Sequence, residues 1–197
     1  MKSFVILIRG INVGGKNKVP MAELRQCLKE LGFSNVSTYI ASGNVLLQSG
    51  KSAREVKAQI EKALPSNFKL DSKLVKVLVL TRDQLKAMID EKPSGFGEHP
   101  DTYHSDAIFL MDVGVSQALS AFSPKEGVDA IWPGDGVIYS QRLSALRTKS
   151  HLSRVMGTPV YQSMTIRTWN TTTKLLALLD QLQKSSADTT SNDSVQQ

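Results

Sequence analysis

Val36-Ser-Thr-Tyr-Ile-Ala-Ser-Gly-Asn-Val-Leu-Leu-Gln48 reads as two short strands, Val36 to Ala41 and Val45 to Gln48, folded back on each other across Ser42-Gly43-Asn44. β-Branched, aromatic and aliphatic residues flanking a Ser-Gly-Asn turn are the pattern of a hairpin, and a hairpin here orders everything around it. On its amino-terminal side, Phe4 to Ile8 is a wholly apolar run of strand length. Met21 to Leu31 then repeats Met21, Leu24, Leu28 and Leu31 on one helical face. Pro20 suits the first turn of that helix and Gly32 its end. On the carboxyl side, Ser52 and Glu55 form a capping box ahead of Val56, Ile60 and Leu64. Pro65 is predicted to stop this helix, and Leu74 to Leu80 supplies a further strand. The order is β-α-β-β-α-β, that of a ferredoxin-like sandwich.

The same order returns further on. Thr81 and Gln84 make a second capping-box pattern, opening a linking helix from Arg82 to Glu91 that buries Leu85, Met88 and Ile89. A Pro- and Gly-rich loop, Pro93 to Ser105, leads to a predicted strand at Ala107 to Met111 and a short helix at Ser116 to Phe122. Asp129 to Trp132 and Val137 to Ser140 form a hairpin about Pro133-Gly-Asp-Gly136. Ser150 to Met156 is expected as the second helix, ended by Gly157, and Val160 to Ile166 as the last strand. A final helix from Trp169 to Gln183 carries Leu175, Leu176, Leu178, Leu179 and Leu182 as a broad apolar stripe. The predicted fold is α+β. Two ferredoxin-like sandwich subdomains span 1–80 and 106–183, the second including the C-terminal helix; a linking helix and loop at 81–105 join them. Residues 184–197, rich in Ser, Thr, Asp, Asn and Gln, bury too little to repay ordering and are expected as a disordered tail.

The chain has 197 residues, 41% of them hydrophobic, which suffices for buried cores. Its longest apolar runs fall far short of the roughly 20 residues of a membrane span, so no membrane partner is expected. The run before Arg9 is also shorter than the roughly 7–15 apolar residues of a secretory signal. Cys27 is the single cysteine, at an apolar position of a predicted helix. An internal disulfide and a cysteine-rich zinc site are thereby excluded, and a reducing, cytoplasmic location is expected. The formal net charge of +6 is unevenly spread. Residues 1–80 hold 13 Lys and Arg against 5 Asp and Glu, 81–140 hold 4 against 10, and 141–183 hold 6 against 1. Two basic sections around an acidic middle are the composition of an anion-attracting face or of ordinary lysine-rich surfaces.

Gly10-Ile-Asn-Val-Gly-Gly-Lys-Asn17, directly after the first strand, has the spacing of a phosphate-binding P-loop. Asn17, however, stands where that motif needs the Mg²⁺-binding hydroxyl, and Val19-Pro20 delays the helix. Gly10, Gly14 and Gly15 let backbone N–H groups approach an anion, Arg9, Lys16 and Lys18 supply charge, and Asn12 and Asn17 supply neutral donors. A structural glycine turn has the same appearance. The second constellation is Thr165-Ile-Arg-Thr-Trp-Asn-Thr-Thr-Thr-Lys174, where Arg167, Asn170, Lys174 and first-turn N–H groups suit an anion and Trp169 offers a stacking face. Ordinary capping by Thr168 or Asn170, with Trp169 in the core, fits equally. His99 and His104 share a loop with Glu98, Asp101 and Asp106 at spacings that match no zinc pattern, so this loop reads as solvated. His151 reads as part of a basic helix end. No catalytic set, metal site or cofactor emerges.

Three segments carry a resemblance: Arg9-Gly-Ile-Asn-Val-Gly-Gly-Lys-Asn-Lys-Val-Pro-Met21, Tyr39-Ile-Ala-Ser-Gly-Asn-Val45 and Arg167-Thr-Trp-Asn-Thr-Thr-Thr-Lys-Leu175. Together they resemble the bacterial domain-of-unknown-function family sixteen-ninety-seven over nearly the whole chain except the tail. The resemblance implies two α/β-plait subdomains, and it implies no activity, substrate or catalytic residue. Arg167-Thr168-Trp169 departs from the family's more usual Arg-Asn-Trp. The expected function is binding of a phosphorylated or other anionic small molecule between Arg9 to Lys18, Ser42 to Asn44 and Arg167 to Lys174. Two alternatives stand beside it. One is nonspecific nucleic-acid binding by the basic faces, although Val45-Leu-Leu-Gln48 lacks the stacking aromatics of an RNA-recognition sheet. The other is a Mg²⁺-dependent nucleotide hydrolase or transferase with Asp112 as a metal-binding carboxylate.

Overall fold

The computed structural model describes residues 1–71 and 75–193, with side chains described through Ser185. It divides into two compact units, residues 1–85 with 174–197 and residues 86–173. The first contains β1 (Lys2–Arg9), α1 (Met21–Glu30), β2 (Ser34–Tyr39), β3 (Asn44–Ser49), α2 (Ala53–Asn67) and β4 (Lys76–Thr81). These form a four-stranded sheet in the order β2-β3-β1-β4, every neighbour antiparallel. That is the ferredoxin-like order, with β1 inserted between the strands that flank the second helix. Phe4, Ile6 and Ile8 of β1 pack with Leu24 and Leu28 of α1 and Val56, Ile60 and Leu64 of α2. Val5 and Leu7, on the other face of the strand, are buried too. Burial on both faces is why β1 reads as a continuous apolar run and not as an alternation.

Local chemistry explains the ends of these elements. The capping box at Ser52 and Glu55 is complete: Glu55 N donates to Ser52 Oγ and Ser52 N donates to Glu55 Oε2. Pro65 does not stop α2, contrary to expectation; the helix runs on to Asn67. Proline removes the one donor that would reach Glu61 O, and beyond it the turn is held by additional side-chain bonds, Ser66 Oγ donating to Lys62 O and Asn67 Nδ2 to Ala63 O. β4 begins at Lys76, and the predicted start at Leu74 lies outside the described residues.

The linking helix α3 (Arg82–Asp90) opens with reciprocal bonds between Thr81 and Gln84, as the sequence predicts. The second unit continues with β5 (Tyr103–Leu110), α4 (Val115–Leu119), β6 (Asp129–Gly134), β7 (Val137–Leu143) and β8 (Met164–Thr168). Its sheet order is β6-β7-β5-β8, again antiparallel throughout. The expected second helix is absent. Three short 3-10 segments, Ser144–Lys149, Leu152–Gly157 and Pro159–Ser163, take its place, and the last strand starts at Met164, not Val160. The final helix α5 spans Trp169–Asp193, its first five residues in the second unit and the remainder in the first. Residues 184–193 of the expected tail thus continue the helix, with no Gly or Pro to end it, and 194–197 lie outside the described residues. Among the described residues no helix is long and apolar enough to cross a membrane.

Phe96, at 1% exposure, pins the segment between α3 and β5 by edge-on contacts with Tyr139 at 5.3 Å and Trp169 at 5.0 Å. The Tyr139 hydroxyl donates to the Met88 carbonyl, satisfying an acceptor in the last turn of α3. Burial pushes this phenol up to about 12, with the Glu91 charge adding in the same direction. Because the folded state holds the proton longer than the unfolded chain, stability at this group falls as pH rises from 10 through 12. In an absorbance titration of the four tyrosines, one is expected to ionise last, near pH 12, and that step should vanish in Tyr139→Phe.

Candidate functional site

The glycine-rich segment of the first unit is a closed turn. Lys16 N donates to Val13 O at 3.0 Å and Asn12 N to Asn17 O at 3.0 Å, while the two central residues, Gly14 and Gly15, have φ of 57° and 75°. Positive φ at both positions is the requirement of a type I′ turn, and Gly-Gly is one of the pairs that meets it. A Cβ at either glycine would meet nothing within 4 Å, so turn conformation, not close approach of another group, demands glycine here. Asn12 Nδ2 donates to Val19 O at 2.9 Å and Ala41 O at 3.0 Å, and Asn12 Oδ1 accepts from Val19 N at 2.8 Å. Asn17 Nδ2 donates to Gly10 O, and its Oδ1 accepts from Asp71 N. Both amides therefore hold the loop in shape. Lys16 and Lys18 are exposed, Arg9 is half-buried and pairs in register with Lys76, and α1 begins only at Met21.

The Ser42–Asn44 turn meets this loop through the Asn12 bond to Ala41, and Ile8 N donates to Gly43 O at 2.8 Å. Asn44 is fully buried and donates to Tyr39 O and Ser42 Oγ, whereas Ser42 is exposed. Arg9 to Lys18 and Ser42 to Asn44 are thus brought together at one end of the first sheet.

Arg167, Trp169 and Asn170 belong to the second unit, and Lys174, which is exposed, to the first. Arg167 is 9% exposed and donates to Thr165 Oγ1 and Ile166 O; burial lowers its pKa to about 10. Thr168 caps α5, its Oγ1 accepting from Thr171 N at 3.2 Å. Trp169 is buried against Phe96 and Gly97, and Asn170 is exposed. Trp169, Asn170, Thr173 and Tyr103 line a pocket of about 640 Å³ beside the first turn of α5.

The same pocket is lined by His104, which the sequence assigned to a solvated loop. That assignment is corrected: His104 is the second residue of β5, paired with Arg142 of β7. Its Nε2 lies 3.1 Å from Asp106 Oδ1, and Arg142 Nη1 lies 3.6 Å from Asp106 Oδ2. Asp106 is buried, and burial raises its carboxyl pKa against the opposing pull of His104 and Arg142. A carboxylate that engages one imidazole nitrogen orients the ring and leaves the other to accept when neutral or donate when protonated. The signal was period two: His104 and Asp106 fall on the strand face of Ile108 and Leu110, which are core residues.

The family model described as a protein of unknown function (DUF1697) matches residues 1–139. Among solved structures, the conserved bacterial protein SP0830 from Streptococcus pneumoniae is similar with a TM-score of 0.78 and 27% identity, over 90% of this chain and 98% of that one. An unknown protein from Galdieria sulphuraria matches at 14% identity over 85% of this chain and 96% of that one, with a TM-score of 0.25. No curated protein matches.

Proposed function

The chain belongs to the DUF1697 family of proteins of unknown function, and from its own geometry we propose that it binds a small anionic molecule, phosphorylated or carboxylic, beside the start of α5. One observation carries this reading: His104, oriented by the buried Asp106, and the first turn of a 25-residue helix line the same pocket. A helix start carries roughly half a positive charge and N–H groups directed outward, which favours an anion. Asn170 adds a side-chain donor, whereas the Thr173 hydroxyl already donates to the Trp169 and Asn170 carbonyls, and about 640 Å³ lies within the range of small-molecule sites. A cytoplasmic setting is part of the proposal and rests on the lone free thiol, Cys27.

A thermal-shift series with inorganic phosphate, nucleoside monophosphates, sugar phosphates and dicarboxylates tests it, since ligand at 100 times its dissociation constant stabilises by about 2.7 kcal/mol. At least one anion is expected to raise the melting temperature. His104→Ala and Asn170→Asp should each weaken binding about tenfold, the second by setting a like charge at the pocket mouth, a loss of about 1.4 kcal/mol. Lys16→Ala should leave binding unchanged. A shift lost in Lys16→Ala instead would move the site to the glycine-rich loop, and no shift with any anion would sink the proposal. Oligonucleotide binding that falls steeply with salt would favour the basic faces as a nucleic-acid surface.

A further inference from the structure

In the first unit the β3-to-β4 connection is the four-turn helix α2, which covers the sheet. The corresponding connection in the second unit is three 3-10 segments, none longer than six residues. Such turns are too short to lay one continuous apolar ridge across the strands. A cavity of about 320 Å³ remains between them and the sheet. Its interior is apolar, formed by Ile108, Phe122, Leu152, Val155 and Ile166. Its other end is polar, with Arg142, Arg147, Asp106 and Ser140. Met156 lies on the lining yet is 56% exposed, an unusual position for a large apolar side chain.

The polar end has an unmet requirement. Arg142 Nε is buried and has no hydrogen-bond partner, although Arg142 Nη1 faces Asp106. A buried N–H without an acceptor is unfavourable, and an anionic oxygen is the acceptor that a guanidinium binds best. Arg142 and Arg147 also line an adjoining polar cleft of about 390 Å³ with Ser144 and Thr148. Two cationic side chains, Arg142 and Arg147, line this end with one carboxylate, Asp106, while Asp129, opposite Arg142 in the β6–β7 register, lies outside the lining; the end opens directly on the apolar interior.

We propose that this cavity binds a small amphiphilic anion, with its apolar body between Phe122, Leu152 and Ile166 and its carboxylate or phosphate head on Arg142 and Arg147. No residue lines both this cavity and the pocket beside α5, but Asp106 of this cavity orients His104, which lines that pocket and the adjoining cleft. Asn170→Asp, which alters only the pocket beside α5, and Ser153→Trp, which alters only this cavity, tell the two proposals apart. Charge complementarity selects the head, and the apolar lining selects the body; inorganic phosphate alone lacks the second and octylamine has the wrong sign for the first.

Calorimetric titration of the full chain with octanoate, octylphosphonate, octylamine and inorganic phosphate, alongside methyl NMR of Ile108, Leu152 and Ile166, tests the assignment. Saturable binding of octanoate or octylphosphonate is expected, with shifts at those methyls and at least tenfold weaker binding of octylamine and of phosphate. Arg147→Gln should weaken binding about tenfold, and Ser153→Trp, which places a large ring at the cavity mouth, should abolish it. Both residues are exposed, so neither change threatens the fold, which circular dichroism would verify. Octylamine binding as tightly as octanoate would overturn the proposal. So would binding that survives both variants, or the absence of methyl shifts with either anionic probe.

Discussion

Gly97→Ala is expected to lower stability by about 3 kcal/mol, combining roughly 1–2 kcal/mol for a left-handed alanine with 1–3 kcal/mol for overpacking. Gly97 has φ of 77°, and a Cβ there would lie 2.1 Å from Trp169 Cδ1 and 2.4 Å from Trp169 Nε1. The indole has little freedom to retreat. Its ring meets Phe96 edge-on at 5.0 Å and Tyr139 at 6.3 Å, and Phe96 is itself held by Tyr139. For a chain of this size about 3 kcal/mol corresponds to roughly 6–12 °C in melting temperature. Gly95→Ala separates the two contributions. It has a similar φ of 74° but nothing within 4 Å of its would-be Cβ, so it should cost only the conformational part, roughly 1–2 kcal/mol. Because Trp169 walls the pocket beside α5, Gly97→Ala should also weaken any anion held there, whereas Gly95→Ala should not. Equal melting temperatures for the two variants would contradict the packing of Trp169 on the Gly97 backbone.

The contrast between these glycines shows where sequence reading stops. Both stand in a Pro- and Gly-rich stretch that announces a loop, yet only the three-dimensional neighbour, 72 residues later in the chain, distinguishes a turn glycine from a packing glycine. Elements specified by adjacent residues were legible: the β1 run, the Ser52 and Thr81 capping boxes, the hairpin about Ser42 to Asn44, and the repeated strand order. Thr168 as a cap and Trp169 in the core were among the readings left open. Elements decided by distant partners were not legible. β5 begins at Tyr103 because Leu143 and Arg142 are there to pair with it, and this moves His104 from a loop onto the strand. Leu152, Val155 and Met156 have helical spacing, yet the segment is a 3-10 turn ending at Gly157, and spacing alone does not distinguish the two. The candidate loop shows the same limit. An asparagine in a glycine-rich loop looks the same in sequence whatever its amide bonds, and two of the bonds that Asn12 and Asn17 make run to Ala41 and Asp71, 29 and 54 residues away.

Asn12→Ala should therefore act through the loop's shape. Three hydrogen bonds go with the side chain, two donated to Val19 O and Ala41 O and one accepted from Val19 N. At roughly 0.5–1.5 kcal/mol each, reduced where water reaches the Ala41 carbonyl, they amount to about 2 kcal/mol. Asn12 also has φ of 55°, which asparagine tolerates better than alanine, adding about 1 kcal/mol, so a loss of about 3 kcal/mol is expected in urea unfolding. Asn12→Asp tests the mechanism more sharply. Aspartate keeps the acceptor for Val19 N and the tolerance of positive φ, but it has no proton to give and sets a carboxylate against two carbonyl oxygens. It should cost at least as much as alanine despite being nearly isosteric. An aspartate variant as stable as the parent would mean that the two donated bonds contribute nothing. If the loop does carry an anion on Lys16 and Lys18, Asn12→Ala should weaken that anion without removing a group that touches it, because the Val13–Lys16 turn would no longer be fixed against Val19 and Ala41. Loop-borne binding that stays intact in Asn12→Ala would show that exposed lysines alone hold the anion, with no dependence on the turn that presents them.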